Sequence, residues 1–232
     1  MTAPAGGGRL GSPRLHLRRC DSTSSRARAL AAAGAPHGTL VTAADQEAGR
    51  GRQGRVWHAP AGRALLLSLV LRDWPALLPL AAAAAVAELA GPEARIKWPN
   101  DVLLDGGKLS GILVEGRPSE GWAVLGIGVN VAVDPAELPP EVARIAAGLR
   151  RPVEAVEATL QDLVAGLERW LAAGDPAVLD EVRARDALIG RRVRFGGEEG
   201  RANGIDERGR LLVLTAGGER ALGSGEVHLG SE

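Results

Sequence analysis

The chain has 232 residues, of which 45% are hydrophobic and 24% charged, enough to bury the core of one large domain and a smaller one. Its 28 Lys and Arg residues balance its 28 Asp and Glu residues, so no net charge draws it to nucleic acid or to a membrane surface. The single cysteine, Cys20, excludes an intrachain disulfide framework and favours a cytoplasmic location, and the four histidines are too scattered to indicate a metal cage. No uninterrupted apolar run reaches membrane-spanning length.

The N-terminal part of the chain is predicted to alternate strands with a helix. Residues 1–13 are rich in Gly, Pro and Ser, and we expect them to be disordered. Alternating side chains over residues 14–20 predict a strand, and residues 21–25 cap a helix that runs to Ala33. A second strand over residues 39–43 leads into the most informative segment of the chain.

That segment, residues 46–57, is a loop in which arginines alternate with glycines. Its members are Gln46, Gly49, Arg50, Gly51, Arg52, Gly54, Arg55 and Trp57. Glycine lets a backbone approach a ligand closely, and arginine supplies a permanent charge with a planar set of donors that matches phosphate and carboxylate. The pattern predicts a flexible cationic loop that closes over an anion.

The same loop also matches the G-x-G-x-x-G pattern of dinucleotide-binding folds. That fingerprint requires a helix to begin at the glycines. Here residues 53–63 carry no apolar helical stripe, and the next apolar run, residues 64–71, has the length of a strand. The dinucleotide interpretation is therefore disfavoured, whereas a solvated surface loop or a nucleic-acid patch remains an alternative.

A lysine-bearing strand is predicted after a helix over residues 74–90. Residues 95–98 are predicted to form a short buried strand that directs Lys97 into the protein, and Pro99 ends it before the turn-forming pair at 100–101. A buried lysine costs desolvation unless it meets an anion, so Lys97 is a candidate partner for a carboxylate or a phosphate. An ordinary edge-strand lysine remains the alternative.

The remaining sequence predicts two more strands, three helices and a small barrel. Residues 108–114 and 122–131 are apolar strands, the second with Asn130 near its end; the helices are expected over 141–148, 153–173 and 176–188. From residue 190 onward, short apolar segments separated by Gly-rich turns are typical of a small β-barrel. We place the domain boundary near residue 186, which gives domains over 14–185 and 186–232.

In this order, the motifs of the chain resemble those of the biotin–protein ligases. The segments that carry the resemblance are Asp21–Thr23, the loop 46–57, Lys97–Asp101, Lys108–Glu115, Gly126–Asn130 and the C-terminal segments 204–213 and 225–227. Together they span roughly residues 14–230. One departure is Ser24, where the family usually has Asn.

The resemblance implies an α+β fold. Its catalytic domain is expected to be like that of class II aminoacyl-tRNA synthetases and biotin synthetases, with a mixed, mainly antiparallel sheet, followed by an SH3-like barrel. Repressor members of the family carry an N-terminal winged helix-turn-helix, for which residues 1–13 are too short. We therefore expect a cytoplasmic, monofunctional ligase with no specific DNA target, as a monomer or weak homodimer.

The resemblance also implies a two-step reaction. Biotin and ATP form biotinyl-5′-AMP with magnesium, and the biotinyl group then passes to a lysine of a biotin carboxyl carrier protein. Two alternatives remain open: a lipoate–protein ligase, which performs the same chemistry, and an RNA-binding module that uses the arginine loop. The RNA-binding alternative has little aromatic material for base stacking, since the chain has one Phe and no Tyr.

Site residues follow from the same resemblance. Those expected to contact biotin are Ser22, Thr23, Ser24, Gln46, Gly49, Arg50, Gly51, Arg52, Lys97 and Gly111. Those expected to contact ATP or the adenylate are Arg50, Arg52, Arg55, Trp57, Lys97, Asn100, Lys108 and Asn130. Arg52 and Lys97 are the predicted catalytic residues, and Asp101 is the predicted magnesium ligand.

Overall fold

The structure, a computed structural model, describes residues 9–223, 225 and 227–229. Its larger unit contains seven strands and five helices in these residues. The strands are β1 (Arg14–Leu17), β2 (Leu40–Ala43), β3 (Ala64–Leu71), β4 (Arg95–Lys97), β5 (Asp101–Leu104), β6 (Gly107–Arg117) and β7 (Trp122–Asn130). The helices are α1 (Thr23–Ala32), α2 (Leu78–Ala90), α3 (Pro140–Ala143), α4 (Val156–Ala172) and α5 (Asp175–Ala184).

The seven strands form one sheet in the order β1-β2-β3-β7-β6-β5-β4. Only β1 and β2 are parallel, and the other neighbours pair antiparallel. The predicted mixed, mainly antiparallel sheet is therefore confirmed. At its centre, β3 lies beside β7, and all eight residues of β3 are buried.

Helices cover the two faces of this sheet unequally. On one face α1 packs through Ala27 and Ala31 against Val70 and Val124. On the other face α2 lies between the sheet and α4, and its alanines 81–85 are fully buried. Alanine keeps this helix close to its neighbours, because it adds no bulk beyond Cβ. Because α1 alone covers the first face, part of that face beside α1 stays open.

Two predictions about α2 and its neighbours are corrected by the structure. The helix begins at Leu78, not at Trp74, and has a proline in its first turn. Because proline lacks a backbone N–H, Pro79 is tolerated there but not deeper in a helix. The predicted turn at residues 100–101 leads directly into β5, a strand that the sequence analysis missed; it pairs with β4 through Ile96 and Val102.

Two helix predictions are also too long. The helix expected over 141–148 ends at Ala143, because Lys108 takes the following backbone into a strand-like bridge with Ala146. The helix expected to reach residue 188 ends at Ala184. There the Ile96 N–H donates to the carbonyl of Arg185 at 2.8 Å, so that the linker between the two units extends the edge of the sheet.

The prediction of disorder over residues 1–13 is wrong for its last part. Leu10 is buried, and its backbone N–H donates to Glu168 Oε1 at 2.9 Å. The Gly11 N–H donates to the Gly38 carbonyl at 2.9 Å, so these residues belong to the ordered unit. Residues 1–8 lie outside the described part of the chain.

The smaller unit is a five-stranded antiparallel sheet, as predicted for the SH3-like barrel. Its strands are β8 (Arg192–Phe195), β9 (Glu198–Ile205), β10 (Leu211–Thr215), β11 (Gly218–Leu222) and β12 (His228–Leu229), in the order β11-β10-β9-β8-β12. It contacts the larger unit at Gly209, whose carbonyl accepts a hydrogen bond from Trp98 Nε1 at 2.9 Å. The domain boundary near residue 186 stays a prediction.

Within the described residues, none of the helices combines the length and the apolar character that crossing a membrane requires.

Candidate functional site

A cavity of about 760 Å³ opens on the sheet face beside α1. Strands of the large sheet form its floor, and four further parts of the chain enclose it: the start of α1, the arginine loop, the region of α3 and the C-terminal end of the barrel. The predicted site residues that line it are Ser22, Thr23, Ser24, Gln46, Arg50, Gly51, Arg52, Arg55, Trp57, Lys97, Asn100, Asp101, Lys108, Gly111 and Asn130. The fold therefore gathers residues from positions 22 to 130 in one place.

Gly49 is the exception among the predicted site residues, because it does not line the cavity. A Cβ at this position would meet the Trp57 carbonyl and, at 3.1 Å, Gln46 Nε2. The Gly49 carbonyl also accepts a hydrogen bond from the Trp57 N–H at 3.0 Å. Gly49 therefore serves the close approach of the two ends of the loop, and its predicted contact with biotin is not supported by this geometry.

The loop itself is a short hairpin. The Gly51 N–H donates to the Arg55 carbonyl at 2.8 Å, and Arg50 forms a bridge with Val56. At its tip, Gln53 has a left-handed conformation with a φ of 54°. The next residue, Gly54, also has a positive φ, of 76°. The hairpin turns the arginine side chains toward the cavity.

Glycines form the floor of the cavity. The strand register places Gly111 of β6 opposite Gly128 of β7, so both face the same side of the sheet. Trp57 packs against this pair: a Cβ on Gly128 would lie 2.5 Å from its Cε2, and a Cβ on Gly111 would lie 3.1 Å from its Cζ3. Only residues without a side chain leave space for the indole there.

Neutral hydrogen-bonding groups occupy the end of the cavity at α1. Gln46 Oε1 accepts hydrogen bonds from the Thr23 backbone N–H at 2.7 Å and from the Thr23 hydroxyl at 3.0 Å. The Ser68 hydroxyl donates to Thr23 Oγ1 at 2.9 Å and lies 3.2 Å from Ser24 Oγ. This chain of side chains fixes Gln46 and Thr23, and it engages Ser24 with a neighbour on β3.

Apart from Asp101 Oδ1, which is ion-paired with Lys108, three polar atoms of cavity-lining residues are buried without a hydrogen-bond partner among the described residues. They are Ser22 Oγ, Trp57 Nε1 and Asn130 Oδ1. The Asn130 amide is held by its other end, since Nδ2 donates to the Ala147 carbonyl at 2.8 Å. Buried polar atoms in folded proteins are nearly always hydrogen-bonded, so these three mark positions where a bound molecule would supply the partner.

The cationic side chains of the cavity differ in how their charge is compensated. Arg52 donates to two neutral oxygens, Asn100 Oδ1 at 2.9 Å and the Gly225 carbonyl at 3.1 Å. Arg50 instead pairs with the carboxylate of Glu115, at 3.1 Å from its Nη2. Among the described residues, the charge of Arg52 thus meets only neutral oxygens, whereas that of Arg50 is matched by Glu115.

Lys108 is also paired with a carboxylate. Its Nζ lies 2.8 Å from Asp101 Oδ1 and 5.9 Å from the centroid of the Trp57 ring, within the range of a cation–π contact. Lys97 sits on β4 opposite Asp101 in the strand register, with its side chain half-buried at the cavity wall. The predicted inward orientation of Lys97 is therefore observed, although β4 is an edge strand of the sheet.

The two titratable residues just before α1, Cys20 and Asp21, have shifted pKa values, and neither shift creates a reactive thiolate. Burial raises the pKa of the Cys20 thiol, which keeps it protonated and unreactive. The backbone N–H of Ser22 lowers the pKa of Asp21 by bonding its carboxylate. The chemistry of the cavity thus rests on its fixed cations and neutral donors.

Comparison with known proteins identifies the family. The profile of the Biotin/lipoate A/B protein ligase family matches residues 17–132, and that of the Biotin protein ligase C terminal domain matches residues 188–230. The chain belongs to the biotin/lipoate A/B protein ligase family.

Individual relatives agree with this assignment. The biotin–[acetyl-CoA-carboxylase] ligase of Mycobacterium tuberculosis is 38% identical and covers 89% of this chain and 85% of its own. The bifunctional ligase/repressor BirA of Bacillus subtilis is 36% identical over 90% of this chain and 71% of its own. Among solved structures, the biotin protein ligase of Aquifex aeolicus in complex with biotin and ATP superposes with a TM-score of 0.77 at 28% identity, covering 95% of this chain and 100% of that chain.

Ser68 and a group of barrel residues belong to the surroundings of the site in this ligase-family member, although neither was predicted from the sequence. Ser68 holds Thr23 from the middle of an otherwise apolar strand, and the lone hydroxyl in that strand is the sequence signal by which it could have been found. Gly225, Val227, His228 and Leu229 of the barrel form part of the cavity wall. Segment 225–227 was singled out only as part of the resemblance of the barrel, and not as part of the site, because these residues reach the cavity only through the docking of the barrel.

The described residues contain no cluster of three or more His, Cys, Asp or Glu side chains that would hold a metal ion. The predicted magnesium ligand, Asp101, lies at the cavity wall but already pairs with Lys108. A single carboxylate is a sufficient protein ligand only for a cation that brings most of its ligands with it, as magnesium does with phosphates and water.

Proposed function

We propose that the chain activates biotin with ATP to form biotinyl-5′-AMP and transfers the biotinyl group to a lysine of a biotin carboxyl carrier protein. The observation that carries the proposal is a single cavity with a neutral hydrogen-bonding end at Thr23 and Gln46 and a cationic end at Arg52 and Lys97. Biotin is uncharged at its ureido ring and anionic at its carboxylate, so it matches both ends. The similarity of the chain to the biotin–[acetyl-CoA-carboxylase] ligase of Mycobacterium tuberculosis also supports this proposal.

At the neutral end, the ureido ring would bond the unpartnered hydroxyl of Ser22 and the fixed groups of Thr23 and Gln46. Leu66 and Ile112, which line the same cavity, would pack the apolar valeryl chain. Ser24, in place of the Asn usual in the family, already has a partner in Ser68 and would shape this end rather than bond the ring directly.

In the first step an oxygen of the biotin carboxylate attacks the α-phosphorus of ATP, and pyrophosphate leaves. Two anions meet in this step, and charge builds up on the non-bridging phosphate oxygens. Arg52 and Lys97 would neutralise it, since Arg52 contacts only neutral oxygens among its described partners. Arg55 and Asn100 line the same region and would contact the phosphates.

At the nucleotide end, Asn130 Oδ1 is the unpartnered acceptor that an exocyclic amine of adenine would satisfy. Trp57 presents an aromatic surface to the cavity, and Lys108 would contact phosphate. Magnesium would enter with the triphosphate, bound through phosphate oxygens and water, with Asp101 as its protein ligand.

In the second step the neutral amine of the carrier lysine attacks the carbonyl carbon of the mixed anhydride, and AMP leaves with the bonding electron pair. The arginine loop would shield the anhydride from water until the carrier arrives. We further propose that the protein works as a monomer or weak homodimer and has no specific DNA target.

The test is incubation of the protein with a biotin carboxyl carrier domain, ATP and biotin, followed by intact-mass spectrometry. One added biotinyl group on the carrier is expected, and a large excess of lipoate should not suppress it. Attachment of lipoate in preference to biotin would contradict the proposal and favour the lipoate branch of the family. Lys97→Ala should lower biotin-dependent pyrophosphate release at least ~10²-fold, the scale of losing one charge-stabilising donor.

A further inference from the structure

The carboxylate of Glu115 links α1, which carries the neutral end of the cavity, to the arginine loop. Glu115 Oε1 lies 3.2 Å from Nη1 of Arg28 on α1 and 3.1 Å from Nη2 of Arg50 in the loop. Glu115 itself does not line the cavity. It sits on β6, two residues beyond Leu113 and four beyond Gly111, on the same face of the sheet as the cavity floor.

The placement of this carboxylate suits an anchor rather than a ligand contact. Its side chain is 21% exposed, and its second oxygen is buried without a partner. Arg50 follows Gly49, where the two ends of the hairpin meet, so a hold on Arg50 fixes the base of the loop. Arg52, by contrast, contacts only neutral oxygens among its described partners and keeps its charge for an anion.

We propose that Glu115 is a positioning residue that holds the base of the arginine loop through Arg50 and so keeps the adenylate in the cavity. Arg50 then acts mainly as the structural arginine of the loop, whereas Arg52 meets the phosphate. This inference rests on the proposed function, because it names which arginine serves which purpose in that reaction.

The test is a double-mutant cycle on the dissociation rate of biotinyl-5′-AMP, with Glu115→Gln, Arg50→Met and the double variant. The ion pair is partly exposed, so each single variant is expected to release the adenylate about threefold faster. If Glu115 acts through Arg50, the double variant releases it no faster than either single variant. Independent effects would multiply to about ninefold and would overturn the proposal, as would a Glu115→Gln rate equal to that of the wild type.

Two further variants separate the anchor from a general loss of packing. Arg28→Met removes the helix partner but leaves the pair of Glu115 with Arg50, so the adenylate should stay bound as in the wild type. Glu120→Gln removes a carboxylate that bonds Trp122 away from the loop and should also have no effect. If Arg28→Met reproduced the effect of Glu115→Gln, the carboxylate would be stabilising α1 instead of the loop.

Hydrogen exchange of residues 49–57 in the protein without ligands provides a readout that does not depend on the reaction. Faster exchange in Glu115→Gln than in the wild type would support the anchor even if the protein proved to use another acid in place of biotin. Unchanged exchange would overturn the anchor, whatever the substrate. Absence of adenylate in the wild type, with the exchange effect present, would instead count against the proposed function alone.

Discussion

Gly128 lies directly beneath the indole of Trp57, so closely that a Cβ on this glycine would come within 2.5 Å of Cε2 and 2.8 Å of Nε1. The contact joins the last residue of the arginine loop to the central strand pair of the large sheet. It makes the position of Trp57 depend on the absence of a single methyl group.

Gly128→Ala should therefore displace Trp57 and weaken the nucleotide end of the cavity. We expect the KM for ATP in pyrophosphate release to rise about tenfold, the order of one lost aromatic contact. The matched control is Gly116→Ala, on the neighbouring strand, where the nearest heavy atom to an added Cβ is 3.9 Å away. Equal KM values in Gly128→Ala and wild type would show that the ring is not part of the ATP site.

Ser68→Ala should weaken the neutral end of the cavity. The Ser68 hydroxyl donates to Thr23 Oγ1, and its loss leaves a buried acceptor unpartnered, at a cost of about 1–3 kcal/mol. We expect the KM for biotin to rise about tenfold while the KM for ATP stays the same. Ser110→Ala is the control, since that serine is equally buried on β6 and its hydroxyl has no partner. A similar rise in both variants would contradict the assigned role of Ser68.

Trp98→Phe should loosen the barrel. Trp98 follows Lys97 in the sequence, and its indole N–H donates to the Gly209 carbonyl of the barrel at 2.9 Å. Loss of this hydrogen bond should lower the free energy of unfolding by about 1–2 kcal/mol. Because barrel residues Val227 to Leu229 form a cavity wall, kcat/KM for adenylate formation should fall severalfold. The control is Trp122→Phe, which removes the hydrogen bond from Trp122 to Glu120, far from the barrel. This variant should lower the free energy of unfolding but leave kcat/KM unchanged. A full rate in Trp98→Phe would mean that barrel docking does not affect catalysis.

Asp186→Asn should stabilise the protein at neutral pH. Burial raises the pKa of the Asp186 carboxyl, so the native state holds this proton more tightly than the unfolded chain does. Between the unfolded pKa and the higher folded pKa, stability therefore falls as the pH rises. The gain of the variant should be present at pH 7 and absent below the ordinary value of 3.8.

Urea unfolding of Asp186→Asn and wild type at several pH values measures this difference. The Asn side chain keeps the oxygen that accepts the Leu188 N–H at 2.7 Å, so the local hydrogen bond survives the change. Asp180→Asn is the control, since the side chain of this α5 aspartate is exposed, and it should not stabilise the protein at pH 7. A loss of stability at pH 7 in Asp186→Asn would show that the charged form is the favoured one.

The sequence by itself determined the chemistry of the site. The alternation of arginine and glycine at 49–55 and the lysine before Trp98 are local patterns whose residue types predict anion binding, and the asparagine ending β7 was predicted to contact the nucleotide. The apolar runs likewise predicted most of the strands, because hydrophobic periodicity reflects which face of each element is buried. All of the predicted site residues except Gly49 line the cavity, and their individual contacts with biotin and ATP stay predictions.

Only the tertiary structure decided how those residues share their charges and what encloses them. The pairing of Arg50 with Glu115, and of Arg52 with neutral oxygens, depends on strand register across 65 and 48 positions of sequence. The cavity wall at Val227 to Leu229 depends on the docking of the barrel, which Trp98 and Gly209 fix from 111 positions apart. Long-range contacts of this kind leave no local pattern, because each partner is an ordinary residue in its own segment.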